Sequence, residues 1–201
     1  GVAIYNVRSQ ICLRSWPLPS SVQLTHPAWL QPRARRLLAV RDHCQLFSWG
    51  DCEDEIALDS APSTRVLLEG PVLTLLHSTE LLDGVAVALI DGSARFVGCR
   101  DLSAAPLAVV PSSTRADTAA WAGLLPLPAT LGTAAGLGLM VLLRCSKGVR
   151  LCLHAVHVDA QGKLARDGDA ALPLLTVQLP GCSPEVLIRS SAALRGCALV
   201  P

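Results

Sequence analysis

The sequence predicts an all-β fold, a β-propeller of the WD40-like or kelch-like kind, on three observations. Strand-like hairpins recur at intervals of ~40 to 50 residues, the period of propeller blades: Tyr5, Trp49 and Phe96 occupy matching places, and VRLCLHAVHVD from Val149 is a fourth copy. Ahead of the last three copies stands a first strand, in LLAVRD, GVAVALIDG and GLMVLLRCSKG. The intervening corners, Asp42-His43, Asp91-Gly92 and Ser146-Lys147-Gly148, are polar and short, as hairpin turns require.

The 201 residues suffice for one core, so one domain of about four to five blade units is expected, roughly 1–20, 21–60, 64–110, 118–180 and 186–201. Six or seven blades would need ~250 to 300 residues. The ring is therefore expected to be larger than these units, or incomplete, with missing blades supplied by further sequence or by a partner. The opening GVAIYNV, a core-strand pattern at the first residue, likewise predicts sequence ahead of it.

Composition narrows the classes. Hydrophobic residues make up 51% and charged residues 16%, which suits an element buried on both faces or a protein with extensive partner contacts. The formal net charge of +1 supplies no global field for nucleic acid or an anionic membrane. The eight cysteines include no C-x-x-C pair and sit mostly in apolar runs, so free buried thiols are expected rather than disulfides. No secretory signal pattern is visible.

Taken in order, Val2–Val7 is a buried strand, Arg8-Ser9-Gln10 a turn, and ICLRSW the next strand. Val22–Trp29 begins a unit, with Pro27 tolerable near a strand end. The loop QPRARR carries Arg33, Arg35 and Arg36, the candidates for contact with RNA or an acidic partner, against the plainer reading of a solvated loop. Leu37–Arg41 and Gln45–Trp49 pair antiparallel. The acidic corner Asp51, Glu53, Asp54 and Glu55 lacks the spacing and glycine of a calcium loop and reads as a charged approach to an outer strand at Ile56–Asp59.

Thr64–Leu76 supplies an outer strand, a Gly70-Pro71 turn and a new innermost strand. Val85–Ile90 and Ala94–Gly98 form a hairpin for which Asp91-Gly92 predicts a type I′ corner, with positive φ at both residues. Thr118–Leu143 is free of charge and long enough for a membrane helix, but its prolines and glycines favour two buried strands joined by a loop. Asp159–Ala171 is a polar loop, Leu172–Leu179 a strand, and Val186–Ser190 the start of another unit.

Chemistry is sparse. Cys152, His154 and His157 are close in sequence, but on a strand His157 faces away from the other two, so no metal is expected. There is no G-x-S-x-G elbow, P-loop or G-x-G-x-x-G, and GTAAGLG at Gly132–Gly138 lacks the lysine of a phosphate loop. Trp16, Trp29, Trp49 and Trp121 fall near strand ends, where core packing is the ordinary role of an aromatic. No catalytic residue, cofactor, membrane contact or small-molecule substrate is expected.

VAIYNVRSQICLRSW, LTHPAW and LLAVRDHCQLFSWGD together resemble the amino-terminal propeller of the nucleolar protein 11 family. The likeness covers about the first half of the chain and fades after Asp51. Its matching residues, Tyr5, Trp16, Pro27, Ala28, Asp42 and Trp49, are structural, so it carries over no binding site. The resemblance implies a non-catalytic scaffold of ribosome biogenesis, in the nucleolus. Its context would be small-subunit processome assembly and pre-rRNA transcription and processing, among propeller and helical subunits of a ribonucleoprotein and with pre-ribosomal RNA close by. The competing reading is a propeller subunit of another large assembly, a nuclear pore or vesicle coat.

Overall fold

A computed structural model of the chain describes residues 2–5, 8–16, 24–30, 36–49, 64–78, 81, 84–98, 107–110, 117–127, 137–156 and 173–191. A hairpin of β1 (Val2–Tyr5) and β2 (Cys12–Trp16) comes first. Three four-stranded antiparallel sheets follow, each a meander from one edge to the other. The first comprises β3 (Leu24–Leu30), β4 (Arg36–Arg41), β5 (Gln45–Trp49) and β6 (Thr64–Leu67). The second comprises β7 (Val72–Leu76), β8 (Gly84–Leu89), β9 (Ala94–Gly98) and β10 (Leu107–Val110). The third comprises β11 (Thr118–Pro126), β12 (Leu137–Cys145), β13 (Gly148–Val156) and β14 (Leu175–Pro180). Four-stranded meanders packed face against face in chain order are propeller blades, so the fold is that of a β-propeller.

Period-two alternation explains the packing. From β4, Leu38 and Val40 face the second sheet and join Leu46, Val66 and Leu68 against Val72, Val85, Val87, Leu89 and Val97. The alternate residues of β8, Ala86 and Ala88, turn the other way and join Ala94 and Phe96. That layer meets Ala119, Ala122, Leu139, Val141 and Leu143 of the third sheet. All six residues of β8 are buried, which is why its sequence reads as a continuous apolar run. Each large side chain buried this way contributes ~1.5–3 kcal/mol.

Backbone hydrogen bonds stitch blade to blade in a repeating pattern. The carbonyl of His43, in the β4–β5 corner, accepts from Val72 N at 2.7 Å, while that of Cys44 accepts from Leu68 N at 2.9 Å and extends the β5–β6 pairing within the first sheet. One repeat on, the carbonyl of Ile90 accepts from Ala119 N at 2.7 Å, while Ile90 N donates to Pro71 O at 2.9 Å and extends the β7–β8 pairing within the second sheet. In the first two blades the corner between the second and third strands thus anchors the entry to the next blade.

Both hairpins expected from the alternation are present: Leu37 pairs with Trp49 through to Arg41 with Gln45, and Gly84 with Gly98 through to Ala88 with Ala94, the latter strand beginning one residue before Val85 and leaving Ile90 in the corner. The charge-free stretch forms β11 and β12, paired antiparallel from Thr118 with Arg144 to Pro126 with Leu137. Its connecting residues 128–136 lie outside the described residues, as do Ile56–Asp59 and the loop Asp159–Ala171.

Three details differ from the sequence reading. Thr64–Leu67 pairs with β5, so it closes the first sheet, and the unit drawn as 64–110 begins at β7. The corner at Asp91-Gly92 is not type I′: only Gly92 has positive φ, at 85°. Asp91 Oδ1 instead accepts from Ser93 N at 2.9 Å and from Ser93 Oγ at 2.6 Å, an aspartate brace that holds the turn without a second left-handed residue. Consecutive left-handed residues occur at Asp42 and His43, with φ of 50° and 64°, where the hydrogen bond from Val72 N of the next blade to the His43 carbonyl holds the corner.

The third difference is at the carboxy-terminal side. Where a strand was expected from Val186 and a unit over 186–201, Pro184–Ser191 forms the helix α1. Ser183, Pro184 and Glu185 are a helix start, with a hydroxyl residue ahead of the first turn, a proline whose missing N–H costs nothing there, and an acid at the positive end of the dipole. These signals override the β-forming tendency of Val186-Leu187-Ile188.

Candidate functional site

Arg33 and Arg35 lie outside the described residues, and Arg36 is the first residue of β4, opposite Leu30. The pairing of Leu37 with Trp49 means that the arginine-bearing connection and the one beginning Gly50-Asp51 leave the sheet from adjacent strand ends. Segments of opposite formal charge therefore depart from one end of the first blade.

The densest polar grouping in the described residues is one the sequence reading did not single out. Asp117, just ahead of β11, is buried, and its Oδ2 accepts from Arg150 Nη1 on β13 at 3.0 Å. Arg150 Nε also donates to Gln178 Oε1 on β14 at 3.4 Å, so one guanidinium ties β13 to β14 and to the residue that leads into β11. The signal lay in the alternation: Arg150 has the same strand parity as Cys152, a core position.

Two thiols lie near this pair. Burial first, then hydrogen bonding to Asp117, pushes the Cys145 thiol above the ordinary cysteine range. Burial pushes Cys152 up as well, against the opposing pull of Thr176 and Arg150. Both thiols are kept protonated, the opposite of what a cysteine nucleophile needs. Among the described residues Cys12, Cys44, Cys145, Cys152 and Cys182 form no disulfide with one another, but Cys12 and Cys182 are exposed rather than buried. Maleimide under native conditions should therefore label Cys12 and Cys182 at least ~10-fold faster than Cys152; mass spectrometry showing equal rates would contradict this environment.

Cys152 and His154 lie buried on β13, opposite Val141 and Leu139, while His157 is outside the described residues. Among the described residues no group of three or more histidine, cysteine or acidic side chains could hold a metal ion. The described part of Gly132–Gly138, Leu137 and Gly138, belongs to β12. Trp121 is half-buried, with its ring filling the space beside Gly123, where an added Cβ would come within 2.4 Å of it. That tryptophan is packed against its own strand. No helix among the described residues is long and apolar enough to cross a membrane.

His26 sits at a bulge in β3 with φ of 51°, and burial together with neighbouring His43 lowers its pKa below the ordinary value of 6.5. The unfolded chain then binds the proton more readily than the folded chain. Stability should fall as pH drops below about 6.5 and stop falling below the folded-state pKa. Thermal melts from pH 8 to pH 5 should show a shallower slope for His26→Asn, since asparagine tolerates the left-handed backbone without titrating. An unchanged slope would remove His26 from the acid response.

No protein-family model matches the chain, and no curated protein matches it. Among solved structures it is similar to the crystal structure of the Myceliophteria thermophila Cps50 (Swd1) β-propeller domain. The identity is 18% and the TM-score 0.44, over 79% of this chain and 45% of that one. The chain thus spans less than half of that structure's length. A likeness of this degree carries no argument of its own, and the propeller is read from the three meander sheets themselves.

Proposed function

We propose that the chain is a non-catalytic propeller scaffold that docks protein subunits of a large assembly, and that the assembly is pre-ribosomal. The observation that carries the scaffold reading is the architecture: stacked blades are rigid sheets whose connections leave from both ends, which suits many shallow contacts. The protonated thiols near Asp117 and Arg150 agree with a structural rather than a catalytic role for that grouping. The resemblance of the first three strand motifs to the nucleolar protein 11 family supports the narrower reading, with work in the nucleolus on small-subunit pre-rRNA. Arg33, Arg35 and Arg36 are the proposed contact with RNA or an acidic partner, because they cluster in the connection that enters β4.

The test is affinity purification of a tagged chain with mass spectrometry, alongside depletion and measurement of pre-rRNA cleavage. Co-purifying ribosome-assembly propellers and slowed early cleavages are expected. Replacing all three arginines by glutamate should reduce recovery of the complex and leave the remaining association less sensitive to salt. Normal processing after complete depletion, with nucleoporins or coat subunits co-purifying instead, would overturn the pre-ribosomal reading.

A further inference from the structure

The three outer strands are built differently. β6 and β10 have four residues each; β6 carries the exposed Arg65, and the pairing of β10 with β9 is interrupted between Ala108 and Val110. Short, charged or irregular edges resist the addition of another strand. β14 is neither short, charged nor irregular, and the proline that would blunt an edge, Pro180, is only its last residue. It is six residues long, its pairing with β13 runs without a shift from Gly148 with Pro180 to Leu153 with Leu175, and its sequence LTVQLP is uncharged. Among the described residues no strand pairs with its outer side.

The side chains along this edge define what fits there. Leu175, Val177 and Leu179 sit opposite Leu153, Leu151 and Val149, extending an apolar layer to the rim, where Leu175 is 47% exposed. Thr176 and Gln178 occupy the other face. An added strand must present apolar residues on the first face and small or polar residues on the second, and it must carry no charge to be desolvated. β14 has this pattern itself.

We infer that β14 is a self-association edge, pairing antiparallel with β14 of a second copy of this chain across a two-fold axis. Such a contact is isologous: each edge supplies the unpaired N–H and C=O groups that the other needs, and the same apolar face continues across both copies. The absence of charge on β14 removes the like-charge repulsion that a two-fold axis would otherwise impose. Six residues per copy bury less than the ~1,200 Å² of a stable interface, so the association is weak and depends on concentration.

Sedimentation equilibrium of the full chain from ~1 to ~500 μM should show the mass rising from one copy toward two, as a weak interface requires. Leu175→Lys, at an exposed position, should raise the dissociation constant about tenfold or more by placing like charges on the shared face. Hydrogen exchange on the unsubstituted chain should show β14 amides gaining protection with concentration while those of β6 and β10 do not, a reading that stands even if the lysine variant folds poorly. A single-copy mass throughout, a dimer indifferent to Leu175→Lys in a folded variant, or protection gained elsewhere but not in β14 would each overturn the inference. The first result would leave this edge to a strand from a different protein.

Discussion

Gly84→Ala should destabilise the protein by about 2–3 kcal/mol and lower its melting temperature by roughly 4–12 °C, a large effect for one methyl group. Gly84 opens β8 opposite Gly98, and the ring of Phe96 lies across it. A Cβ at Gly84 would stand 2.0 Å from Phe96 Cζ and 2.5 and 2.7 Å from the two Cε atoms, distances that no packing tolerates. The ring has nowhere convenient to go. Phe96 is buried among Leu81, Ala86 and Ala94 against Ala119, Ala122 and Leu139 of the next blade, so moving it disturbs the contact between blades.

The diagnostic is a reversal of sign. In a Phe96→Ala background, itself costly by about 3–5 kcal/mol, the clash is gone, and Gly84→Ala should become neutral or stabilising by about 0.5–1 kcal/mol through reduced freedom of the unfolded chain. Gly70→Ala is the control, because the nearest atom to its Cβ position is Leu89 Cδ1 at 4.0 Å. Denaturant melts of the four combinations decide the matter, and equal costs for Gly84→Ala in both backgrounds would show that the ring is not the cause.

The same contact shows what was legible in the chain. The hairpins at Leu37–Trp49 and Gly84–Gly98 could be read because alternation and a polar corner point to one register. The Phe96–Gly84 contact could not, since it depends on a diagonal neighbour that only the register supplies. The boundary at 64 places β6 with the second unit because Ile56–Asp59 already reads as the outer strand of the first, although Gly70-Pro71 marks the passage between blades. Val186-Leu187-Ile188 read as a strand because β-branched residues dominate any short window, while the capping signals lie just before it. The arginine cluster was chosen from loop composition, and the fold adds only that Arg36 starts β4. The pair of Asp117 and Arg150 escaped notice because the residues are far apart in sequence and neither belongs to a motif.

That pair should also give the clearest asymmetric response to mutation. Arg150→Ala should cost about 2–3 kcal/mol, below the ~3–5 typical of breaking a fully buried pair, because the arginine side chain is itself 37% exposed and solvent already screens part of its charge. The larger part of that cost is the Asp117 carboxylate, whose side chain is only 7% exposed and is left without its guanidinium. Asp117→Ala should cost only about 1 kcal/mol, since Arg150 can turn toward water and keep its bond to Gln178. The double variant should then be more stable than Arg150→Ala alone, because it removes the stranded charge along with its partner. Denaturant melts of the three variants measure this directly. Equal single costs that add in the double variant would mean that the two groups act independently, and that the bridge from β13 to β14 and to the residue leading into β11 does not hold the third blade together.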